Sequence, residues 1–195
     1  MDNPNESVRL EYYTSLVKKD LETGIIMLTG EIEPATATVL VRDIREILRL
    51  RGDGPLTVEL FSGGGHVASA LHMYDTLREY AKRSGPVTVY ASGMAASAAA
   101  GLVLQAADNR VATPYCSLML HEVSVQSTPQ SMSISMGSLE DLNKEMRRLQ
   151  DIMTTIVAAR TGKTKEYWDK KIEHHDVWFS AEQALEEGLI DRIAA

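Results

Sequence analysis

The stretch from Val87 to Ala107 contains no charged residue, and it constrains the fold more than any other part of the chain. It is long enough to span a bilayer. However, Ala, Ser and Gly dominate it, and it has few of the Leu, Ile and Phe residues that drive membrane insertion. Its first residues have a strand pattern and its Ala/Leu-rich end a helical one. We therefore expect a buried strand, a tight turn and a buried helix.

Strand-like runs alternate with amphipathic helical patterns along the whole chain. Apolar residues recur every three or four positions from Ala37 to Leu48, and again from Val67 to Ala81. The strand-like runs cover residues 25–28, 56–61, 87–91, 110–112, 117–120 and 189–193. This alternation predicts an α/β domain in which helices cover a mainly parallel sheet.

Capping signals predict the ends of two further helices. The longest candidate covers residues 138–159, with Ser138 in a capping-box pattern and Gly162 placed to stop the helix. A later helix is predicted to begin with Ser180 and Gln183 as its capping-box pair. We find no internal repeat and no linker that would indicate a second domain.

The composition argues against several classes of partner. A net charge of −7 and a pI near 5.3 disfavour nucleic acid or an anionic membrane as the main partner. The single cysteine, Cys116, excludes an intramolecular disulfide and fits a reducing compartment. Its place beside a strand-like run predicts a buried small residue. The polar N-terminus lacks a signal-peptide pattern, so we expect a cytoplasmic protein.

Three residues and a glycine loop could together supply a site for acyl transfer to water. Ser97 lies at or near the start of the predicted buried helix, where free N–H groups and the helix dipole suit an anion beside the hydroxyl. His121 ends a strand-like run, Asp176 lies near the C-terminus, and Gly63–Gly65 separates a strand from a helix. Nucleophile, base, orienting carboxylate and backbone oxyanion donors are the parts that this chemistry requires.

Each of these assignments has rivals in the sequence. A lone histidine after an apolar strand is commonly structural, and Asp169 and Glu173 compete with Asp176. The other histidines that could act as the base are His66, His72, His174 and His175. Metal binding is the main alternative role for the histidines. However, His174 and His175 would point to opposite sides of an extended strand, and no paired-cysteine or His-Glu-x-x-His motif exists, so we expect no metal.

Five segments, in the same order and at similar spacing, resemble the ClpP family of serine peptidases, the proteolytic subunit of the Clp protease. They are Ser62-Gly63-Gly64-Gly65 (Ser-Pro-Gly-Gly in the family), Tyr74-Asp75-Thr76, Gly93-Met94-Ala95-Ala96-Ser97, Met119-Leu120-His121, and the segment from Asp176 to Asp191, which is similar to Asp-x-Phe-x-Ser-Ala-x-x-Ala-x-x-x-Gly-Leu-Ile-Asp. The resemblance covers nearly the whole chain. It implies a ClpP/crotonase-like α/β fold, a mainly parallel sheet covered by helices, with a protruding helical handle.

The resemblance also implies roles for individual residues. Ser97, His121 and Asp176 would form the catalytic triad, and the backbone N–H groups of Gly65 and Ala98 would form the oxyanion hole. The residues implied to bind substrate are Gly64, Gly65, Glu122 and Val123. Neither a metal nor another cofactor is implied.

The implied protein is a serine endopeptidase that hydrolyses unfolded polypeptides inside a ring-shaped chamber. It would be a homo-oligomer, either a heptameric ring or a stacked double ring, with an AAA+ unfoldase as a candidate partner and no nucleic acid or membrane partner. Residues 1–195 would form one peptidase domain, with an N-terminal segment at 1–15 and the handle at about 122–161.

The chain departs from the family pattern at several places. The proline of Ser-Pro-Gly-Gly is Gly63, the Gln-Pro-Leu-Gly-Gly after the histidine is replaced from Glu122 onward, and the Asp-Arg pair before the aspartate is His174-His175. Residues 1–12 do not clearly match the family's axial loop. These changes put ring docking and unfoldase coupling in question. Two other functions stay open: a catalytically silent scaffold subunit, and a crotonase-like acyl-coenzyme A enzyme, which would not need all three triad residues.

Overall fold

The computed structural model describes residues 15–124 and 136–195. Its strands are β1 (Ile25–Thr29), β2 (Leu56–Ser62), β3 (Val87–Ala96), β4 (Asn109–Ala112), β5 (Ser117–Leu120), β6 (Val177–Phe179) and β7 (Arg192–Ile193). Its helices are α1 (15–23), α2 (Pro34–Arg51), α3 (Val67–Arg83), α4 (Met136–Thr161), α5 (Lys165–Ile172) and α6 (Ala181–Glu186). A π-helical segment (Ala99–Val103) and a 3₁₀ turn (Leu104–Ala106) follow β3.

Strand β3 divides the sheet into two branches. Residues 88–91 of β3 pair with β4, whereas residues 94–96 pair with β5. The main path runs β1-β2-β3-β4-β7 with parallel pairing throughout, and β6 is antiparallel to β5. The prediction of an α/β fold with a mainly parallel sheet is confirmed.

The apolar stripes of α2 and α3 are buried, as their periodicity predicts. The side chains they bury include Leu40, Ile44 and Ile47 from α2, and Met73 and Leu77 from α3. Burying an aliphatic side chain of this size contributes roughly 1.5–3 kcal/mol. This packing holds one face of the sheet in place.

Helix α4 is longer than predicted, and its two ends differ in burial. Ser138 lies inside the helix, so its assignment as the N-cap is wrong. Between residues 139 and 149 no side chain is buried, whereas Met153 and Val157 belong to the core. As predicted, the helix ends before Gly162. This glycine has a left-handed backbone (φ 69°), and its N–H donates to the carbonyl of Ala158. The exposed N-terminal half fits the expected protruding handle.

Several local predictions differ from the structure. Strand β3 continues past Gly93 to Ala96, and the predicted strand at 189–193 is reduced to Arg192–Ile193. Strand β6 was not predicted. His174 and His175 lie in a turn, not in an extended strand. The capping box of Ser180 and Gln183 is confirmed at the start of α6.

Parts of two expected regions lie outside the described residues. These are residues 1–14 of the N-terminal segment and residues 125–135 of the handle. The single-domain limits therefore stay a prediction. Within the described ranges, no helix has the length and apolar character needed to cross a membrane.

Candidate active site

Ser97 occupies the turn between β3 and the π-helical segment. Its backbone is left-handed (φ 55°), a conformation that few residues other than glycine adopt. Its N–H donates to the carbonyl of Met119 in β5 at 2.8 Å, and its own carbonyl accepts the N–H of Gly101 at 2.8 Å. These two bonds hold a turn that would otherwise relax, and held strain of this kind is typical of functional sites.

The pairing of β3 with β5 places His121 beside Ser97. Ala96 lies opposite Met119 in the parallel register, so the residues that follow the two strands meet at one edge of the sheet. His121 Nε2 lies 2.7 Å from Ser97 Oγ, within hydrogen-bond distance. The His121 side chain is 24% exposed, which leaves it partly shielded from water. The geometry allows His121 to take the hydroxyl proton.

The pairing of β5 with β6 brings Asp176 to the other side of the imidazole. Leu120, which precedes His121, lies opposite Val177, which follows Asp176. Asp176 Oδ1 lies 4.0 Å from His121 Nδ1, which is too long for a hydrogen bond. The aspartate side chain is 66% exposed. The structure thus brings the three predicted residues together but leaves the His–Asp contact open.

The glycine loop after β2 packs directly against the Ser97 turn. A Cβ at position 64 would lie 2.7 Å from Ser97 Cβ and 3.1 Å from the Ala98 nitrogen, so only glycine fits there. Gly64 also donates its N–H to Ser62 Oγ at 3.1 Å, which fixes the start of the loop. In the described chain, no loop, turn or cap hydrogen bond uses the N–H of Gly65 or Ala98. The Ala98 nitrogen thus lies beside Gly64, and Gly65 is the next residue of the same loop; their roles as oxyanion donors stay a prediction.

The two other predicted substrate-binding residues make contacts within the chain. Glu122 directs its carboxylate to the turn before Asp176, where Oε2 accepts the N–H of His174 at 3.0 Å. The N–H of Val123 donates to Gln150 Oε1 of α4 at 2.7 Å. Gln150 was not predicted as part of the site. Because it lies 27 positions from Val123, no local pattern could have indicated the contact.

Two of the rival residues have other partners. Nδ1 of His66 lies 2.9 Å from Ser69 Oγ, and Asp169 pairs with Lys165. Cys116 is buried, and burial raises the pKa of its thiol to about 11, so the thiol stays protonated near neutral pH. Among the described residues, no group of three or more His, Cys, Asp or Glu side chains could hold a metal ion.

Comparisons with known proteins agree on one family. The model of the Clp protease family matches residues 9–195. An ATP-dependent Clp protease proteolytic subunit of Dehalococcoides mccartyi (strain ATCC BAA-2100) is 30% identical over 177 residues, which cover 89% of this chain and 82% of the relative. An ATP-dependent Clp protease proteolytic subunit 1 of Chlamydia muridarum is 33% identical over 167 residues, or 83% of this chain and 82% of the relative. The corresponding subunit 1 of Protochlamydia amoebophila is 28% identical over 177 residues, or 89% of this chain and 81% of the relative.

Proposed function

The chain belongs to the Clp protease family, and we propose that it hydrolyses peptide bonds with Ser97 as the nucleophile, His121 as the base and Asp176 as the orienting carboxylate. The family assignment confirms the coarser predictions of a ClpP-like fold and a serine-type endopeptidase. The 2.7 Å separation of Ser97 Oγ and His121 Nε2 supports the finer proposal most strongly.

The proposed reaction begins when Ser97 Oγ attacks the carbonyl carbon of the scissile bond. His121 Nε2 takes the hydroxyl proton and returns it to the leaving amine when the tetrahedral intermediate collapses. The negative oxygen of the intermediate accepts hydrogen bonds from the backbone N–H groups of Gly65 and Ala98. Water then hydrolyses the acyl-enzyme by the same two steps. Such backbone donors do not depend on the side chain at position 98.

Asp176 must move closer to complete this arrangement. A charge-assisted hydrogen bond to His121 Nδ1 needs a separation of about 2.7–2.9 Å, whereas the observed distance is 4.0 Å. The required approach is roughly 1 Å, a size of adjustment that catalytic hydrogen bonds commonly make when substrate binds. We propose that substrate or subunit assembly closes this gap.

We further propose that the chain assembles into a ring that encloses the active sites. Met27 and Phe61 are 62% and 49% exposed on β1 and β2, and parallel sheets are normally covered on both faces. The relatives are named proteolytic subunits of an ATP-dependent protease. That wording supports assembly with other subunits, and we propose a homo-oligomer, as a heptameric ring or a stacked double ring, that receives unfolded polypeptide from an AAA+ unfoldase.

Hydrolysis of a fluorogenic peptide by the wild type and by Ser97→Ala tests the proposal. Loss of a triad nucleophile typically costs roughly 10⁴- to 10⁶-fold in turnover. We expect Ser97→Ala to lose activity while its melting temperature stays near that of the wild type. Equal hydrolysis by the two proteins would contradict the assignment, and equal inactivity of both would favour the scaffold alternative. A monomer by light scattering that cleaves peptides at full rate would refute the ring.

A further inference from the structure

We propose that Glu122 is a positioning residue that holds the turn carrying Asp176 in register with His121. This inference rests on the proposed function, because it concerns the geometry of the same triad. Glu122 immediately follows the base, and its partner His174 lies two positions before the orienting carboxylate. One contact therefore joins the two chain segments that must come together for catalysis.

The contact has two parts, of which the backbone bond is the shorter. Glu122 Oε2 accepts the N–H of His174 at 3.0 Å, and the same oxygen lies 3.3 Å from His174 Nδ1. The imidazole is 80% exposed and the Glu122 side chain 42% exposed. The backbone N–H cannot move away by rotation of a side chain, so it gives the carboxylate a fixed partner. A hydrogen bond from an N–H to a charged acceptor is also stronger than one between neutral groups.

The turn needs such a support because its backbone is unfavourable. His174 has φ 60°, in the left-handed region that non-glycine residues seldom occupy. Residues in this conformation persist only where the surrounding structure fixes them. Within the turn, the N–H of His175 donates to the carbonyl of Ile172, and from outside it the carboxylate of Glu122 accepts the N–H of His174. The pairing of Val177 with Leu120 fixes the residue after Asp176, so loss of Glu122 would loosen the chain on the other side of Asp176.

A second contact fixes the segment that carries Glu122. The N–H of Val123 donates to Gln150 Oε1 at 2.7 Å, which ties this segment to α4. Gln150 lies near the middle of α4, just before the helix enters the core at Met153. The backbone next to Glu122 is thus fixed to α4, so its carboxylate can hold the turn at His174 in place.

The neighbouring Glu173 offers a matched control. It belongs to the same turn and carries the same charge, but its Oε1 lies 4.0 Å from His174 Nε2, beyond hydrogen-bond distance. Its removal changes the charge near the site as much as removal of Glu122 does. A purely electrostatic effect would therefore appear in both variants, whereas a positioning effect would appear only at Glu122.

The test uses the full chain with Glu122→Ala, Glu122→Asp, Glu122→Gln and Glu173→Ala. Misplacement of a catalytic group by about 1 Å can cost roughly 10²-fold in rate, so we expect Glu122→Ala to lower kcat by about 10- to 100-fold with little change in KM. Glu122→Asp keeps the charge and should fold. Because its side chain is too short to reach His174, kcat should fall in this variant as well. Glu122→Gln keeps an acceptor oxygen at full length and should restore most of kcat. Glu173→Ala should match the wild type.

A crystal structure of Glu122→Asp separates this inference from the proposed function. We expect the distance between Asp176 Oδ1 and His121 Nδ1 to be longer in Glu122→Asp than in a wild-type crystal of the same assembly state. If the wild type showed no hydrolysis that depends on Ser97, the proposed function would be refuted. The distance between Asp176 and His121 in the crystals would then decide the role of Glu122 by itself. The inference would be overturned if Glu122→Asp had the kcat of the wild type and Asp176 in the same position. It would also be overturned if Glu173→Ala lost as much kcat as Glu122→Ala.

Discussion

Replacement of Gly64 by alanine should disable the site while leaving most of the fold intact. The added methyl carbon would lie 2.7 Å from Ser97 Cβ and 2.7 Å from the carbonyl oxygen of Ala96. Both atoms belong to the serine turn, and the backbone oxygen cannot rotate away. Either the glycine loop or the turn must therefore move.

The size of the required movement follows from the contact distances. Non-bonded carbon atoms approach to about 3.5 Å at their optimum, so the loop and the turn must separate by roughly 0.8 Å. Displacements of about 1 Å within a catalytic arrangement can cost roughly 10²-fold in rate, or about 2.7 kcal/mol of transition-state stabilisation. We expect kcat for a fluorogenic peptide to fall by about this factor in Gly64→Ala.

Gly162→Ala is the matched control for this variant. Gly64 (φ 95°) and Gly162 (φ 69°) both have positive φ, but a Cβ at position 162 meets nothing within 4 Å. Each alanine carries the cost of a left-handed L-residue, about 1–2 kcal/mol in the free energy of unfolding. Gly162→Ala should therefore lose stability and keep its kcat. Unchanged kcat in Gly64→Ala, or an equal loss in Gly162→Ala, would refute the close approach of loop and turn.

Three further predictions follow from other parts of the structure. His121→Ala and Asp176→Asn should each lower kcat severely. The double variant should be little worse than His121→Ala alone, because the effects of residues that act as a unit are not additive. Additive losses in peptide hydrolysis would contradict a shared role. Asp191→Asn should lower the free energy of unfolding at pH 7 by about 2 kcal/mol in urea denaturation, because it leaves the buried Arg110 guanidinium without its carboxylate. Burial alone would raise the pKa of Asp191, but hydrogen bonds from Arg110 outweigh it and hold the pKa below its ordinary value. This stabilisation is therefore present above about pH 4 and is lost as the pH falls through the lowered pKa. A deficit of Asp191→Asn that stays constant down to pH 2 would contradict it. Cys116 should resist a maleimide in the folded protein at pH 7 and react only after unfolding; rapid labelling of the native protein would show that the thiol is accessible.

The sequence predicted the elements whose residues show their own periodicity or capping. Helices α2 and α3 follow from apolar spacing, and α6 follows from the capping box of Ser180 and Gln183. Ser97 was placed at the start of a predicted buried helix and His121 at the end of a strand-like run, and the resemblance to the ClpP family singled out both residues. Parallel pairing then brings the two residues to one edge of the sheet.

Features that depend on partners distant in the sequence were not predicted. Strand β6 has only three residues and exists because it pairs with β5, and the end of β3 is rich in small residues without a strand pattern. No local pattern indicates the 4.0 Å separation of His121 Nδ1 and Asp176 Oδ1. The Glu122–His174 contact joins residues 52 positions apart, and no local pattern indicates it.

Labelling of the native protein with a serine-reactive fluorophosphonate, followed by peptide mapping, tests the central assignment most directly. The reagent mimics the tetrahedral intermediate, so it reacts only where a nucleophile, a base and oxyanion donors act together. We expect one adduct, on Ser97, which is absent in Ser97→Ala and forms much more slowly in His121→Ala. An adduct on another residue, or no adduct in a protein that hydrolyses peptides, would contradict the account.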